Sequence, residues 1–358
     1  MNKIQQLREG MKKEGFDCLA IVPGPNLFYI TSVNFHLSER PVVLFIEEDN
    51  LTFILPELEI QKLSGLDVIS LTYSDVSGPQ SAFDIFLKDK NFEKVGVESR
   101  LIRHLELNLI NRNHSEIVDS MFLFANLRTV KSDYEIQMVE KAVEIAEKSF
   151  NLIAHKLNSG ISEKEFASQL VIELLSNGSE SELPFSPIVA SGANAANPHH
   201  FPSDKVIEEN ELVIVDWGAN NKGYFSDITR TFATGKNIDS RLLDAYESVR
   251  LANIAAREKS EDGVTAGEVD LAARSIIDQR GFSEYFIHRT GHGLGLEIHE
   301  EPNIKQNDDF VLKNGNLFTV EPGIYIPKLG GIRIEDDVLI ESGKSRSLTT
   351  LSRDLVYL

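Results

Sequence analysis

The sequence predicts an α/β domain over residues 1–124, followed by an α+β domain over residues 125–358 that carries a pseudo-two-fold repeat. Three observations support this reading. Strand-like apolar runs alternate with helical stretches through the first 124 residues, as expected of a mostly buried sheet covered by helices. Ser132-Asp133-Tyr134-Glu135 then forms a capping box ahead of a long amphipathic stripe. Last, Gly160-Ile161-Ser162-Glu163-Lys164-Glu165-Phe166 is echoed by Gly263-Val264-Thr265-Ala266-Gly267-Glu268-Val269. In both halves a helix pair precedes a hairpin bearing two acids. A length of 358 residues also exceeds what one hydrophobic core usually organises, which favours two domains.

In chain order, helices are expected near 3–13 and 81–88, and strands at 18–22, 27–31, 42–46, 51–55, 68–71 and 95–97. No catalytic constellation is visible among them. The boundary is expected near 126–131. Beyond it Val139, Ala142, Val143, Ala146, Phe150, Ile153, Ala154 and Leu157 recur at helical spacing and form the buried stripe of a structural helix. The two repeat segments each fit the end of one helix and a capping box that opens the next. Two related halves would place their hairpins on opposite sides of one axis, facing each other across a sheet.

Those hairpins carry the chemistry. Leu212-Val213-Ile214-Val215 is an apolar run that ends at Asp216, and a β-prone segment beyond the turn at 218–223 contains Asp227. A hairpin centred on Asn221 and Lys222 would set Asp216 directly opposite Asp227. Phe318-Thr319-Val320-Glu321 and Ile332-Arg333-Ile334-Glu335 flank a second turn, and centring it near Lys328 opposes Glu321 to Glu335. Like charges so placed, with Cβ atoms roughly 5 Å apart, destabilise a sheet unless a cation lies between them. Four carboxylates balance two divalent ions. With one imidazole added, the set suits manganese, cobalt(II), zinc or iron(II).

The imidazole is expected from Thr290-Gly291-His292-Gly293-Leu294-Gly295, where three glycines around His292 allow close backbone approach. His299, at the end of an alternating strand, suits a hydrogen-bond donor to an oxyanion. The small-residue loop ending in Asn197-Pro198-His199-His200 reads either as a substrate wall, with His199 donating to a carbonyl or reacting nitrogen, or as a surface loop. Five of the nine histidines fall at 199, 200, 288, 292 and 299, which favours the functional reading.

Composition excludes several classes. The formal net charge is −19 and no basic block is present, which argues against a nucleic-acid partner. Cys18 is the only cysteine, so neither an intrachain disulfide nor a thiolate zinc site can form. Charged residues stand where a signal peptide needs an apolar stretch, and no apolar run approaches the ~20 residues that span a bilayer. A cytoplasmic protein with no membrane partner is expected.

In order, Val215-Asp216-Trp217-Gly218-Ala219, Ser226-Asp227-Ile228-Thr229-Arg230-Thr231, Thr290-Gly291-His292-Gly293, Glu321-Pro322-Gly323-Ile324-Tyr325 and Arg333-Ile334-Glu335-Asp336 resemble the five ligand motifs of the pita-bread metallopeptidases. Among these the chain is most similar to the Xaa-Pro dipeptidase (prolidase) and aminopeptidase P group. The resemblance implies a creatinase/aminopeptidase-like pita-bread catalytic domain at 125–358 behind a creatinase-like α/β domain at 1–124. It implies that Asp216 chelates one metal, that Asp227 and Glu335 bridge two, and that His292 with Glu321 completes the second. It further implies that His199, His288 and His299 line the substrate site and that Arg333 meets the substrate carboxylate. Asn34-Phe35-His36-Leu37-Ser38-Glu39-Arg40 is similar to a loop that, in dimeric prolidases, reaches the neighbouring active site. A homodimer with His36 at the substrate is therefore expected.

The activity expected from the resemblance is dinuclear-metal hydrolysis of the Xaa-Pro bond of dipeptides. Glu321 serves as general base, and His299 and His199 stabilise the oxyanion. The alternatives are an Xaa-Pro aminopeptidase acting on longer peptides and a non-catalytic protein-binding homologue, the latter disfavoured because no ligand is missing. Two divalent ions per subunit are expected, with manganese placed before cobalt, zinc and iron(II), and the partner is a proline-containing di- or oligopeptide. The sequence leaves open dipeptidase against aminopeptidase, the metal, the residue before proline, and dimer against tetramer.

Overall fold

Two stretches of chain, Met1–Leu127 and Arg128–Leu358, fold around separate cores in a computed structural model that describes residues 2–111 and 115–358. The first opens with α1 (Lys3–Glu14), whose N-terminus is capped by Asn2 Oδ1 accepting from Gln5 N and whose C-terminus ends on Gly15 at φ 71°. It continues through β1 (Cys18–Ile21), α2 (Pro25–Thr31), β2 (Val43–Ile46), β3 (Leu51–Pro56), β4 (Ile69–Tyr73), α3 (Gln80–Leu87), β5 (Lys94–Val97), α4 (His104–Ile110), β6 (Glu116–Asp119) and α5 (Met121–Arg128). The six strands form one sheet in the order β4-β3-β2-β1-β5-β6. Leu19 and Ile21 enter one apolar cluster, Cys18 and Ala20 the other, so both faces of β1 are covered.

One expected strand is a helix instead. Residues 27–31 lie in α2, where Pro25 occupies the first turn with its φ already helical. A short apolar run reads alike as buried strand or buried helix, and here the preceding proline decides.

The second unit opens with α6 (Asp133–Ile153), held by the reciprocal Ser132/Glu135 capping box, and buries Val139, Ala142, Val143, Ala146, Phe150 and Ile153. There follow α7 (Glu163–Ser176), β7 (Ile188–Ser191), β8 (Leu212–Trp217), β9 (Asn220–Asn221), β10 (Tyr224–Phe225), β11 (Ile228–Ala233), α8 (Ser240–Lys259) and α9 (Ala266–Gln279). The chain ends with β12 (Gly291–Gly293), β13 (Glu300–Ile304), β14 (Leu317–Val320), β15 (Gly323–Ile326), β16 (Gly330–Arg333), β17 (Asp336–Glu341), β18 (Lys344–Ser347) and β19 (Val356–Tyr357). Two sheets, β19-β11-β8-β7 and β13-β12-β14-β17-β18, are built one on each half, with β19 from the end of the chain added to the edge of the first.

The repeat extends to single hydrogen bonds. Gly160 N donates to Ile207 O at 3.0 Å and Gly263 N to Leu312 O at 2.9 Å, and Ile207 N and Leu312 N return bonds to Ile161 O and Val264 O. Isolated bridges Ser162↔Val206 and Thr265↔Val311 also correspond. Glu335 N donates to Thr229 O at 3.1 Å, which joins the two halves where their acids lie.

The hairpin registers position those acids. In the first, Asp216 pairs with Thr229 rather than with Asp227. The turn residues are Lys222 and Gly223, at φ 53° and 87°, one position later than expected. A two-residue hairpin turn of this kind needs positive φ at both positions, and glycine meets that need more cheaply than Asn221 or Lys222 could as a pair. The resulting slip is two residues, so Asp227 keeps the face of Asp216 and lies diagonal to it. In the second hairpin, Gly323↔Arg333 and Val320↔Asp336 share one register about Lys328. Glu321 and Glu335 therefore oppose each other in the gap between the two ladders, as expected.

Candidate metal centre

Asp216, Asp227, His292 and Glu335 are buried, from 2% to 7% exposed. His292 Nε2 lies 3.3 Å from Glu321 Oε1 and 3.7 Å from Asp227 Oδ2. Ligand atoms of Asp227, His292 and Glu335 all fall within 4.8 Å of one another. Thr229 Oγ1 donates to Glu335 Oε2 at 2.6 Å, and Arg333 Nη2 to Asp216 Oδ2 at 2.6 Å. Asp216 Oδ1 and Asp227 Oδ1, both buried, have no hydrogen-bond partner among the described residues.

Burial, followed by repulsion from the neighbouring acids, holds the carboxyls of Asp227 and Glu335 well above the usual range. Burial pushes Glu321 up to about 7, with Arg333 opposing and Asp216 adding to the shift. Burial raises Asp216 too, against the nearby Arg333 guanidinium. The His292 imidazole is pushed well below its ordinary range, first by burial. Its Nδ1 lies 3.1 Å from Gly293 O, a carbonyl that can only accept, so the proton is on Nδ1 and Nε2 presents a lone pair to two carboxylates. Acceptors thus face acceptors in a buried cluster, with the Arg333 and Arg289 guanidiniums nearby to compensate. Hard oxygens, one imidazole nitrogen and two orphaned buried oxygens fit divalent cations.

These groups line a cavity of about 480 Å³ together with His199, His200, His288, His299 and Arg333. The His299 ring meets His292 edge-on, with centroids 4.4 Å apart. His288 Nδ1 lies 2.6 Å from Arg289 O and so donates to it, which leaves Nε2 to accept from the Tyr325 hydroxyl at 2.9 Å. Arg333 Nη1 donates to the same hydroxyl oxygen at 2.9 Å. The chain Arg333–Tyr325–His288 is therefore fully ordered in proton direction. Arg333 Nε is also spent on Thr229 Oγ1, so most donors of Arg333 are committed within the protein. His36 belongs to the first unit, exposed on the loop after α2.

Burial first, then the cations nearby, depresses the His288 imidazole from 6.5 to about 4. The unfolded chain therefore binds the extra proton between these values. The associated stability is present above pH 6.5 and lost as pH falls toward 4, a term of up to about 3 kcal/mol. Denaturant melts of His288→Asn should show a shallower loss over that window than the parent protein; identical slopes would contradict the buried neutral state.

Sequence reasoning passed over several lining residues. Tyr325 closes a motif already singled out, and Arg289 stands between His288 and Thr290, so both signals were present. Thr229, which lines no part of the cavity but bonds Glu335 and Arg333, could have been found from its place on the face shared by Asp216 and Asp227. Phe185, Ile188, Phe201 and Ile298 supply apolar wall, and nothing in their local sequence marks them.

Residues 137–342 match the model of metallopeptidase family M24, and residues 3–130 match the creatinase/prolidase N-terminal domain. The chain belongs to metallopeptidase family M24. As an M24 protein it is a metallopeptidase with the two-domain pita-bread fold, and divalent metal ions are implied by the family. An Xaa-Pro dipeptidase of Pyrococcus horikoshii is 36% identical over 365 residues, which cover 99% of this chain and 98% of that one. The crystal structure of a dipeptidase from P. horikoshii OT3 superposes with a TM-score of 0.94 at 37% identity, covering all of both chains. An X-Pro aminopeptidase from Thermotoga maritima gives 0.85 at 28% identity, again over both full lengths. The M24 chain contains no helix, among the described residues, long and apolar enough to cross a membrane.

Proposed function

We propose that this M24 enzyme hydrolyses the Xaa-Pro bond of dipeptides. The observation that carries the reading is full-length likeness to named Xaa-Pro dipeptidases at 36–37% identity, joined to a cluster of buried acids around His292. A second reading, Xaa-Pro aminopeptidase action on longer peptides, is favoured by the weaker likeness to the Thermotoga enzyme.

In this proposal Asp216, Asp227, His292, Glu321 and Glu335 hold two divalent ions, manganese before cobalt, zinc or iron(II). When bound, such ions lower the pKa of water toward neutrality and polarise the scissile carbonyl. Glu321 takes the proton of the attacking water and returns it to the leaving proline nitrogen. His299 and His199 donate to the oxygen of the tetrahedral intermediate. Because proline in an imide bond has no N–H, the site has no donor to satisfy there. The ordered chain through Tyr325 and His288 holds Arg333 in place, both to fix Asp216 and to face the substrate carboxylate. His36 of a second subunit completes the substrate site of a homodimer in the cytoplasm.

The test compares Leu-Pro with Leu-Pro-Gly on manganese-loaded protein. A kcat/KM at least 10-fold higher for the dipeptide is expected. Equal efficiency on the tripeptide would overturn the dipeptidase in favour of the aminopeptidase.

A further inference from the structure

The loop that brings His199 to the cavity wall is fastened at both ends to one carboxylate, that of Glu163 in the first turn of α7. Glu163 is fully buried. Its Oε1 accepts from Ser191 N at 2.8 Å, Ser191 Oγ at 2.9 Å and Asn194 Nδ2 at 3.1 Å. Its Oε2 accepts from Ser203 N at 3.1 Å and Ser203 Oγ at 2.7 Å, and lies 2.8 Å from His200 Nε2. Donors from residues 191, 194, 200 and 203 thus converge on a single side chain, and the segment they enclose contributes Pro198, His199, His200 and Phe201 to the cavity. These bonds hold the Glu163 carboxyl below its usual range despite its burial.

The two adjacent histidines are separated in role by this arrangement. His200 Nε2 is committed to Glu163. The His199 ring makes no hydrogen bond among the described residues, and only its backbone N is tied down, to Asn197 Oδ1 at 3.2 Å. The loop also has little room to settle elsewhere. A Cβ on Gly331 of β16 would come within 2.0 Å of Ala195 O, so this part of the loop lies directly against the strand that delivers Arg333. Glu163 itself lines no part of the cavity.

We infer that Glu163 is the positioning residue for His199: it sets the loop 191–203 so that the free imidazole faces the substrate, without touching substrate or metal. The inference rests on the proposed Xaa-Pro hydrolysis and on the place of His199 in it. A buried carboxylate with six neighbouring donor groups leaves them unpaired when removed, and the loop then relaxes. Displacement by about 1 Å at a positioning site costs on the order of 10²-fold in rate.

A double-mutant cycle in manganese-loaded full-length protein tests this, read as kcat/KM on Leu-Pro. Glu163→Gln keeps the shape of the side chain but turns an NH₂ toward donors, and should lower kcat/KM by 10- to 100-fold. In a His199→Ala background the same change should cost less than about 3-fold, because a residue that acts only through His199 has little left to act through. Manganese bound per chain should be unchanged in all four proteins. If Glu163→Gln does not yield folded protein, Ser203→Ala removes one side-chain donor from the same carboxylate and should show the same background dependence at about 3- to 10-fold. Equal losses with and without His199, or loss of bound manganese, would overturn the positioning role while leaving the proposed activity standing. Absence of Leu-Pro turnover by the parent protein would sink both.

Discussion

Glu321→Gln should lower kcat on Leu-Pro by about 10³-fold or more while the protein folds normally. A positioned general base contributes typically 10²- to 10⁴-fold, and the amide of glutamine cannot take a proton. Two observations support that role for Glu321 over a purely structural one. Its Oε1 is 3.3 Å from His292 Nε2, inside the acid cluster. Its hydrogen bond from Thr319 Oγ1 is long, at 3.4 Å, so the oxygen is weakly held within the protein and free to engage a water. Steady-state kinetics with a thermal melt as folding control checks the prediction. Activity within 10-fold of the parent would remove Glu321 from the proton path.

Stripping divalent ions should destabilise the protein, and Asp227→Asn should reverse part of that loss. Without cations, Asp227 lies buried beside Glu335, Asp216, Asp337 and Glu321, and its carboxyl is forced well above the usual range. An ion present at 100 times its dissociation constant adds about 2.7 kcal/mol of stability. Asparagine at 227 is neutral without taking up a proton, so the chelated variant should melt above the chelated parent. The variant should gain far less than the parent when manganese is returned, because an amide oxygen is a poorer ligand. The order of stabilities therefore inverts between chelator and manganese. Scanning calorimetry on the four combinations measures it, and an unchanged order would contradict a cation at Asp227.

Much of this site was legible because its signals are local. An acid that ends an apolar run, a histidine among glycines, and Ser132 three residues ahead of Glu135 each state their structural consequence within a few positions. The second hairpin was readable to the residue, with Glu321 and Glu335 opposed about Lys328. The first was not. Asn221, Lys222 and Gly223 offer two adjacent turn centres, and the positive φ that glycine accepts selects the later one. Residues 27–31 were misread because a five-residue apolar run carries no period of its own. What the sequence hid was long-range: Glu163 lies 36 positions from His199, and the orientation of Arg333 depends on Thr229, which meets it only once both hairpins are docked.

If this cluster of acids hydrolyses peptides by holding two cations, proline release from Leu-Pro by chelator-stripped protein depends on manganese added back in known equivalents. Hydrolysis should be absent at zero and rise to a plateau at about two ions per chain, the number four carboxylates balance in charge. Undiminished turnover in excess chelator after stripping, or no hydrolysis by fully loaded protein, would contradict a two-cation site.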